Sequence, residues 1–145
     1  MLFKNDESSL KLEIINYEFG GDSGAPDSDD RNWLVLRGTY TDEDGHIIKD
    51  SNSCLLTYEL KDMTAGLKVL RAGIRDEFNS DFSEPYFLFS ARKSGDGFAA
   101  DVSFTMPNTM EDIENADISC NLTAVELDAL IDELDKLCTK FSDRK

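Results

Sequence analysis

Apolar and polar residues alternate near the start of the chain in a pattern that predicts a β-strand. The alternation runs from Leu10 to Ile14, slips by one residue at Ile15 and then continues to Phe19. A slip of this kind indicates a β-bulge, because one extra residue reverses which face the side chains occupy. The following segment, residues 20–30, is rich in Gly, Ser and Asp and is predicted to be a loop.

A second strand is predicted over residues 33–41, where apolar side chains again alternate between two faces. The Asp-Gly dipeptide at positions 44–45 is typical of a tight hairpin turn. The chain is therefore expected to return in a third strand at residues 46–49, and a less regular stretch continues to Leu56.

The spacing of apolar residues then changes to that of a helix. Thr57 is predicted to cap its amino end and Gly73 to end it, since these residue types favour those positions. Gly66 weakens the helix by roughly 1 kcal/mol relative to alanine. The apolar stripe of this helix consists of Leu60, Met63, Leu67, Leu70 and Ile74.

The second half of the chain shows the same succession of strands and a helix. Strands are predicted at residues 85–92, 98–106 and 116–122, with a tight turn at 94–97 and a loop at 107–112. Thr123 and Glu126 have the spacing of a capping box, which predicts the start of a helix. The apolar stripe of this terminal helix consists of Leu127, Leu130, Ile131, Leu134, Leu137 and Cys138.

This order of elements predicts an α+β domain covering residues 1–145, with an antiparallel sheet of about six strands and two helices packed on one face. The order also fits two βββα halves. The halves share a Leu-Thr phrase at 56–57 and 122–123, where an apolar strand end leads into a helix. The phrase is explained either by internal duplication or by a common way of starting a helix.

The composition adds a strong excess of acidic residues. The chain has 145 residues, 15 Lys and Arg against 30 Asp and Glu, a formal charge of −15 and a pI near 4.3. This charge repels nucleic-acid phosphates and anionic membrane surfaces, so neither is expected as a direct partner. It attracts a basic protein, although solubility alone also explains an acidic surface.

The cysteines and the amino-terminal residues indicate an intracellular protein. Cys54, Cys120 and Cys138 lie in apolar patterns without CxxC spacing, so they are expected to be reduced, buried thiols. The first residues resemble no signal peptide, and no apolar run is long enough to span a bilayer. A cytoplasmic location is predicted.

No sequence motif indicates catalysis, a metal or a cofactor. His46 is the single histidine and follows a hairpin turn, about 25 Å of extended chain from Cys54, which disfavours a catalytic pair. The acidic clusters in the loops do not follow the spacing of a calcium-binding loop. We therefore predict a non-enzyme with no catalytic residues, no metal site and no cofactor.

Two segments carry a resemblance to a known family. Asp30 to Leu34 (DRNWL) leads into a strand, and Cys54 to Leu60 (CLLTYEL) opens a helix. Together they resemble the signature of WapI-type immunity proteins, small bacterial proteins that neutralise the toxin domains of contact-dependent toxins. The resemblance implies a bacterial, cytoplasmic, non-enzymatic protein, and its motif residues look like determinants of the fold. The family often has Trp where this chain has Tyr58.

The charge and the resemblance together predict an immunity or antitoxin-like protein that binds a basic toxin domain and blocks it. One alternative is a structural or regulatory domain that uses an apolar sheet face, including Trp33 and the Phe positions, for self-association or ligand binding. Another is an enzyme that uses carboxylates alone. On the first hypothesis, acids in loops and hairpin tips would contact the partner, and acids on the terminal helix would add to the acidic surface. The candidate contacts are Asp27, Asp29, Asp30, Asp42, Glu43, Asp44, Glu111, Asp112 and Glu114.

Overall fold

The computed structural model describes residues 1–21, 24, 29–106 and 114–144, and contains two antiparallel sheets and two α-helices. Each sheet has four strands in chain order, and one helix follows each sheet. The first sheet consists of β1 (Leu2–Lys4), β2 (Ser9–Tyr17), β3 (Trp33–Thr41) and β4 (Ile47–Leu56), followed by α1 (Thr57–Arg71). The second consists of β5 (Glu77–Asn79), β6 (Phe87–Ser94), β7 (Gly97–Met106) and β8 (Glu114–Leu122), followed by α2 (Ala124–Lys140).

The α+β class and the two helices are confirmed, but the prediction of one sheet of about six strands is wrong. The described residues form eight strands in two sheets, and the halves are ββββα rather than βββα. The strands missing from the prediction are β1 and β5, which have three residues each and are too short to show a repeating pattern. Helix α1 contacts strands of both sheets, so the helices do not share one face of a single sheet.

Several predicted elements of the first sheet are confirmed in detail. Strand β3 has the predicted bounds, and the bulge in β2 lies between Ile14 and Asn16. The β3–β4 turn contains Gly45 at a φ of +84°, a conformation that favours glycine. Strand β4 continues to Leu56, so the doubtful stretch is part of it, and the irregularity there is a bulge at Cys54, which the pairing with β3 skips.

The two sheets pack against each other through large side chains on one sheet and a small residue on the other. A Cβ on Gly38 of β3 would lie 2.5 Å from Cδ1 of Phe104 in β7, so only glycine fits there. The rings of Phe3 and Phe89 lie 5.8 Å apart and join β1 to β6. The core is therefore continuous between the sheets.

Helix α1 begins differently from the prediction. Thr57 is the first helical residue and not the N-cap; its Oγ1 is buried without a hydrogen-bond partner among the described residues. The side chain of Glu59 takes over the role of the cap and accepts a hydrogen bond from the backbone N–H of Leu56 at 3.0 Å. Ile74 lies beyond the helix and is exposed, so it does not belong to the apolar stripe.

Helix α2 starts with the predicted capping box. Thr123 accepts a hydrogen bond from the backbone N–H of Glu126 at 3.1 Å, and the Glu126 carboxylate accepts one from the backbone N–H of Thr123 at 3.0 Å. No helix in the described part of the chain is long and apolar enough to cross a membrane.

Candidate functional site

The turn between β1 and β2 is held in one conformation by the side chain of Asn5. Its Oδ1 accepts hydrogen bonds from the backbone N–H groups of Glu7 at 2.9 Å and Ser8 at 2.8 Å. Its Nδ2 donates to the carbonyl of Ser119 in β8 at 3.0 Å, which ties the turn to the second sheet. The side chains of Asp6 and Glu7 are exposed at the tip of this turn.

The β3–β4 hairpin is fixed in a similar way by Asp42. Its Oδ1 accepts hydrogen bonds from the backbone N–H groups of Asp44 and His46, both at 2.9 Å. The N–H of His46 contributes most to holding the pKa of the Asp42 carboxyl below its usual value, so this group is ionised near neutral pH. Glu43 and Asp44 are exposed at the tip.

The strand register places these two turns side by side. Ser9 of β2 pairs with Lys4 of β1 and with Thr41 of β3, and Thr41 pairs with Ile47 of β4. Both turns therefore leave the sheet at the same end, about two strand spacings or about 10 Å apart. We call this group the acidic end; it consists of Asp6, Glu7, Asp42, Glu43 and Asp44.

The other described candidates lie elsewhere. Asp29 and Asp30 form part of a short 3₁₀ helix, Asp29–Arg31, which precedes β3 at the opposite end of that strand. A nine-residue strand spans about 26 Å, so these acids are not continuous with the acidic end. Asp29 lies near Tyr58, whose pKa is raised first by burial and then by the charges of Asp29 and Glu59.

The remaining predicted contacts cannot be placed on this surface. Asp27, Glu111 and Asp112 lie outside the described residues. Glu114 begins β8, where its backbone pairs with Met106, and its side chain is outside the described part.

Two acids of α2 form salt bridges with α1, and the prediction that the α2 acids add to the acidic surface stays a prediction. Lys61, Lys68 and Arg71 lie along α1 and form salt bridges of 2.7–2.8 Å. Their partners are Asp143, Asp135 and Asp128 respectively. As the residue numbers of the cations rise along α1, the residue numbers of their acidic partners fall, so the two helices run antiparallel.

The acidic end also contains the one set of potential metal ligands that the described residues bring together. One ligand atom each from Asp42, Asp44 and His46 lies within 4.8 Å of the others. All three groups come from one turn, and Asp44 and His46 are exposed, so a bound cation would complete its coordination largely with water. The Nδ1 of His46 lies 3.3 Å from the second carboxylate oxygen of Asp42.

All three cysteines are free thiols. Cys54 and Cys120 are buried, whereas Cys138 is half-buried with its sulfur 3.5 Å from Oγ1 of Thr64. Burial raises the pKa of Cys54 to about 12 and also raises that of Cys120, so neither forms a reactive thiolate near neutral pH.

The acids of the β1–β2 turn were absent from the sequence-based candidates. Asp6 and Glu7 follow a strand of three residues, which left no pattern from which to predict a turn. The Asn-Asp dipeptide at 5–6 is the available signal, since asparagine favours turns in which its side chain accepts backbone N–H groups.

The fold and this end of the first sheet define a two-sheet α+β protein with a fixed acidic surface. The chain belongs to the immunity protein WapI-like family, whose model matches residues 1–142. No curated protein matches the chain.

Two solved structures of plant proteins match most of this chain. The plant transcriptional regulator PBF-2 has a TM-score of 0.51 and 18% sequence identity over 97% of this chain and 80% of that one. WHY1 from Arabidopsis thaliana has a TM-score of 0.47 and 14% identity over 97% of this chain and 88% of that one. At these identities, the likeness to the first concerns the fold alone.

Proposed function

We propose that this protein is a cytoplasmic, non-catalytic bacterial immunity protein that folds as one domain and uses the acidic end to bind and block a basic toxin domain. Membership of an immunity protein family supports a toxin as the partner. The observation that carries the choice of surface is the pair of turns fixed by Asn5 and Asp42, which present acids side by side.

Fixed turns favour binding because little conformational entropy remains to be lost. The side-chain hydrogen bonds of Asn5 and Asp42 order both tips before a partner arrives. The carboxylates of Asp6, Glu7, Glu43 and Asp44 are exposed, so they are accessible to Lys and Arg side chains. Attraction between opposite charges also speeds the encounter of the two proteins.

The chemistry of the described residues supports a role without catalysis. The buried thiols of Cys54 and Cys120 are held protonated, and the imidazole of His46 lies on an exposed turn beside Asp42. These groups offer a binding surface rather than a nucleophile with a neighbouring base. The net charge of −15 supports a basic protein as the partner, rather than nucleic acid or an anionic membrane.

The first test is protection of living cells. The chain is expressed together with the toxin domain encoded beside its gene, and growth is measured with and without induction of the toxin. The wild-type chain should restore growth. If the chain binds no neighbouring toxin and restores no growth, the proposed function is wrong.

The second test compares two matched double variants in a binding assay with the same toxin domain. D6N/D44N removes one carboxylate from each turn of the acidic end, and D29N/D30N removes two from the opposite end of β3. D6N/D44N should weaken binding by about tenfold, as expected for two charge pairs at an interface edge, and D29N/D30N should change it little. Wild-type affinity should also fall as salt increases.

The opposite ranking would contradict the choice of surface. If D29N/D30N weakens binding more, the partner contacts the end near Tyr58. If affinity does not depend on salt, the interface is apolar and neither acidic group directs binding.

A further inference from the structure

The outward face of the first sheet has a charge opposite to that of the whole chain. Strand pairing places Lys11 of β2 beside Thr39 of β3, and Thr39 beside Lys49 of β4. This row of outward-facing side chains runs across three strands and therefore contains two cations. The neighbouring outward rows contain Lys4 and Arg37. We call the group Lys4, Lys11, Arg37 and Lys49 the cationic face.

The acids on this face do not neutralise it. Among the outward positions of β1–β4, Glu13 is the one carboxylate, and Glu126 of α2 lies close to Lys4. Lys11, Arg37 and Lys49 against Glu13 leave a charge of +2 on β2–β4. Glu13 lies 3.4 Å from Arg37 and 3.9 Å from Lys11 and is shared between them. Elsewhere in the described chain, Lys61, Lys68, Arg71 and Arg92 each have a carboxylate partner.

Arg37 retains an unused donor in the middle of the sheet. Its Nη2 lies 3.4 Å from Glu13, whereas its Nε is buried and has no hydrogen-bond partner among the described residues. Arginine is enriched at protein interfaces. A carboxylate that approached the guanidinium would shift Arg37 from its weak contact with Glu13 and give these donors a partner.

Exposed apolar side chains stand at the margins of the same face. Leu2 on β1 pairs with Lys11 on β2 and is 57% exposed, and Ile47 on β4 is 65% exposed. These two side chains offer apolar contact area at the edges of the cationic face.

Protection of the sheet edges against pairing with other chains explains the positions of only two of these four cations. Lysines on edge strands discourage unwanted pairing with other chains, and Lys4 and Lys49 lie on the edge strands β1 and β4. Lys11 and Arg37 lie on the inner strands β2 and β3, where no edge needs protection.

We propose that the cationic face binds an extended acidic segment of a partner protein that has Asp or Glu at alternate positions. Three strand spacings make the face about 14 Å wide, which matches about four residues of an extended peptide. Alternate side chains of an extended segment share one face, so the acids would meet the cations, and an apolar residue on that same face at either end of the segment would contact Leu2 or Ile47. This surface is distinct from the acidic end and does not depend on the function proposed above.

A continuous polyanion fits the surface less well than a short segment. The β1–β2 turn and the β3–β4 hairpin place Asp6, Glu7 and the hairpin acids at the end of the same sheet. A nucleic-acid strand longer than the face would meet these carboxylates and the strongly acidic remainder of the chain. A short peptide can end before it reaches them.

The test uses a fluorescent eight-residue peptide in which Glu alternates with Val, and measures its fluorescence anisotropy at low salt with increasing amounts of the full chain. A peptide in which Lys replaces Glu and an eight-nucleotide oligothymidylate are the comparison probes. The acidic peptide should bind most tightly, and its affinity should fall as salt increases. Binding no tighter than that of the lysine peptide, or tighter binding of the oligonucleotide, would overturn the proposal.

Matched charge variants locate the site. K11Q/R37Q/K49Q removes three cations from the face, and R75Q/K93Q/K136Q removes one arginine and two lysines at exposed positions elsewhere. The first variant should bind the acidic peptide about tenfold more weakly or worse, and the second should remain within about twofold of wild type. Equal losses would show that the long-range field, not this face, controls binding.

A smaller pair of variants guards against loss of folding. K11Q/K49Q leaves Arg37 and its contact with Glu13 in place, and K93Q/K136Q is its matched control. Thermal unfolding of each variant is measured first. A folded K11Q/K49Q that binds the acidic peptide as tightly as K93Q/K136Q does would contradict the proposal.

Discussion

Asn32 and Arg144 exchange two hydrogen bonds although they are 112 residues apart in sequence. The backbone N–H of Arg144 donates to Oδ1 of Asn32 at 2.6 Å, and Nδ2 of Asn32 donates to the Arg144 carbonyl at 2.9 Å. The guanidinium carbon of Arg144 also lies 3.4 Å from the centre of the Tyr17 ring. Asn32 therefore joins the entrance of β3 to the last residues of the chain, which supports its assignment as a determinant of the fold.

Replacing Asn32 with alanine should lower the free energy of unfolding by about 1–3 kcal/mol, because a buried side chain and two backbone groups lose their partners. Arg144→Ala should have a smaller effect, since it keeps both backbone hydrogen bonds and loses the contact with Tyr17 and an exposed hydrogen bond from Nη1 to the Phe19 carbonyl at 3.3 Å. Urea denaturation of both variants checks the order. A larger loss for Arg144→Ala would show that the ring contact, not Asn32, holds this segment.

Gly66→Ala should destabilise the protein, although alanine normally stabilises a helix relative to glycine. A Cβ at Gly66 would lie 2.2 Å from Cδ1 of Phe78 on β5, which forces one of the two elements to move. In a Phe78→Ala background, the same substitution should stabilise the helix by about 1 kcal/mol. A double-mutant cycle measured by thermal unfolding tests this change of sign, and additive effects would contradict it.

Glu59→Gln should lower stability by about 1–3 kcal/mol. The two carboxylate oxygens of Glu59 accept hydrogen bonds from the backbone N–H groups of Leu56 at 3.0 Å and Ser83 at 2.6 Å. Glutamine has one acceptor oxygen, so one of these donors would face an NH₂ group. Urea denaturation measures the loss, with Glu18→Gln at an exposed glutamate as the control. Equal stability of the two variants would exclude this bridging role.

The Asp101→Asn substitution should reduce stability at pH 7 and have little effect near pH 2. The hydroxyl of Ser119 and the guanidinium of Arg92 lower the pKa of Asp101 from its ordinary value of 3.8. A lowered pKa in the folded state gives stability that is present above the unfolded value and is lost as the pH falls through the folded value. Urea midpoints between pH 7 and pH 2 measure the difference, with Asp117→Asn as the charge-matched control. A difference that persists at pH 2 would contradict this origin.

The sequence predicted the elements that have long regular patterns. Residues 98–106 alternate over almost the whole of β7, and Thr123 with Glu126 marks the start of α2. Strands β1 and β5 have three residues each, and their existence depends on pairing with β2 and β6. Pairing between distant segments leaves no periodic signal, so the division into two sheets was not predictable from local pattern.

The candidate site was predictable only in part, because charge in a sequence does not show which carboxylates have partners. Asp42, Glu43 and Asp44 were predicted at a hairpin tip and lie there. Asp128 and Asp135 have the same chemistry, but the packing of α1 against α2 places cations beside them. Whether those acids contribute to binding depends on tertiary contacts.

The salt bridges between α1 and α2 show that the two halves of the chain carry opposite charges on the helix faces where they meet. The three cations on α1 face acids at and beyond α2, so the ββββα units are complementary rather than identical. Two copies of the first unit, packed through this helix face, would place Lys68 and Arg71 against like charges. The charge pattern therefore favours pairing of each first unit with a second unit, and disfavours assembly from two first units when chains meet during folding.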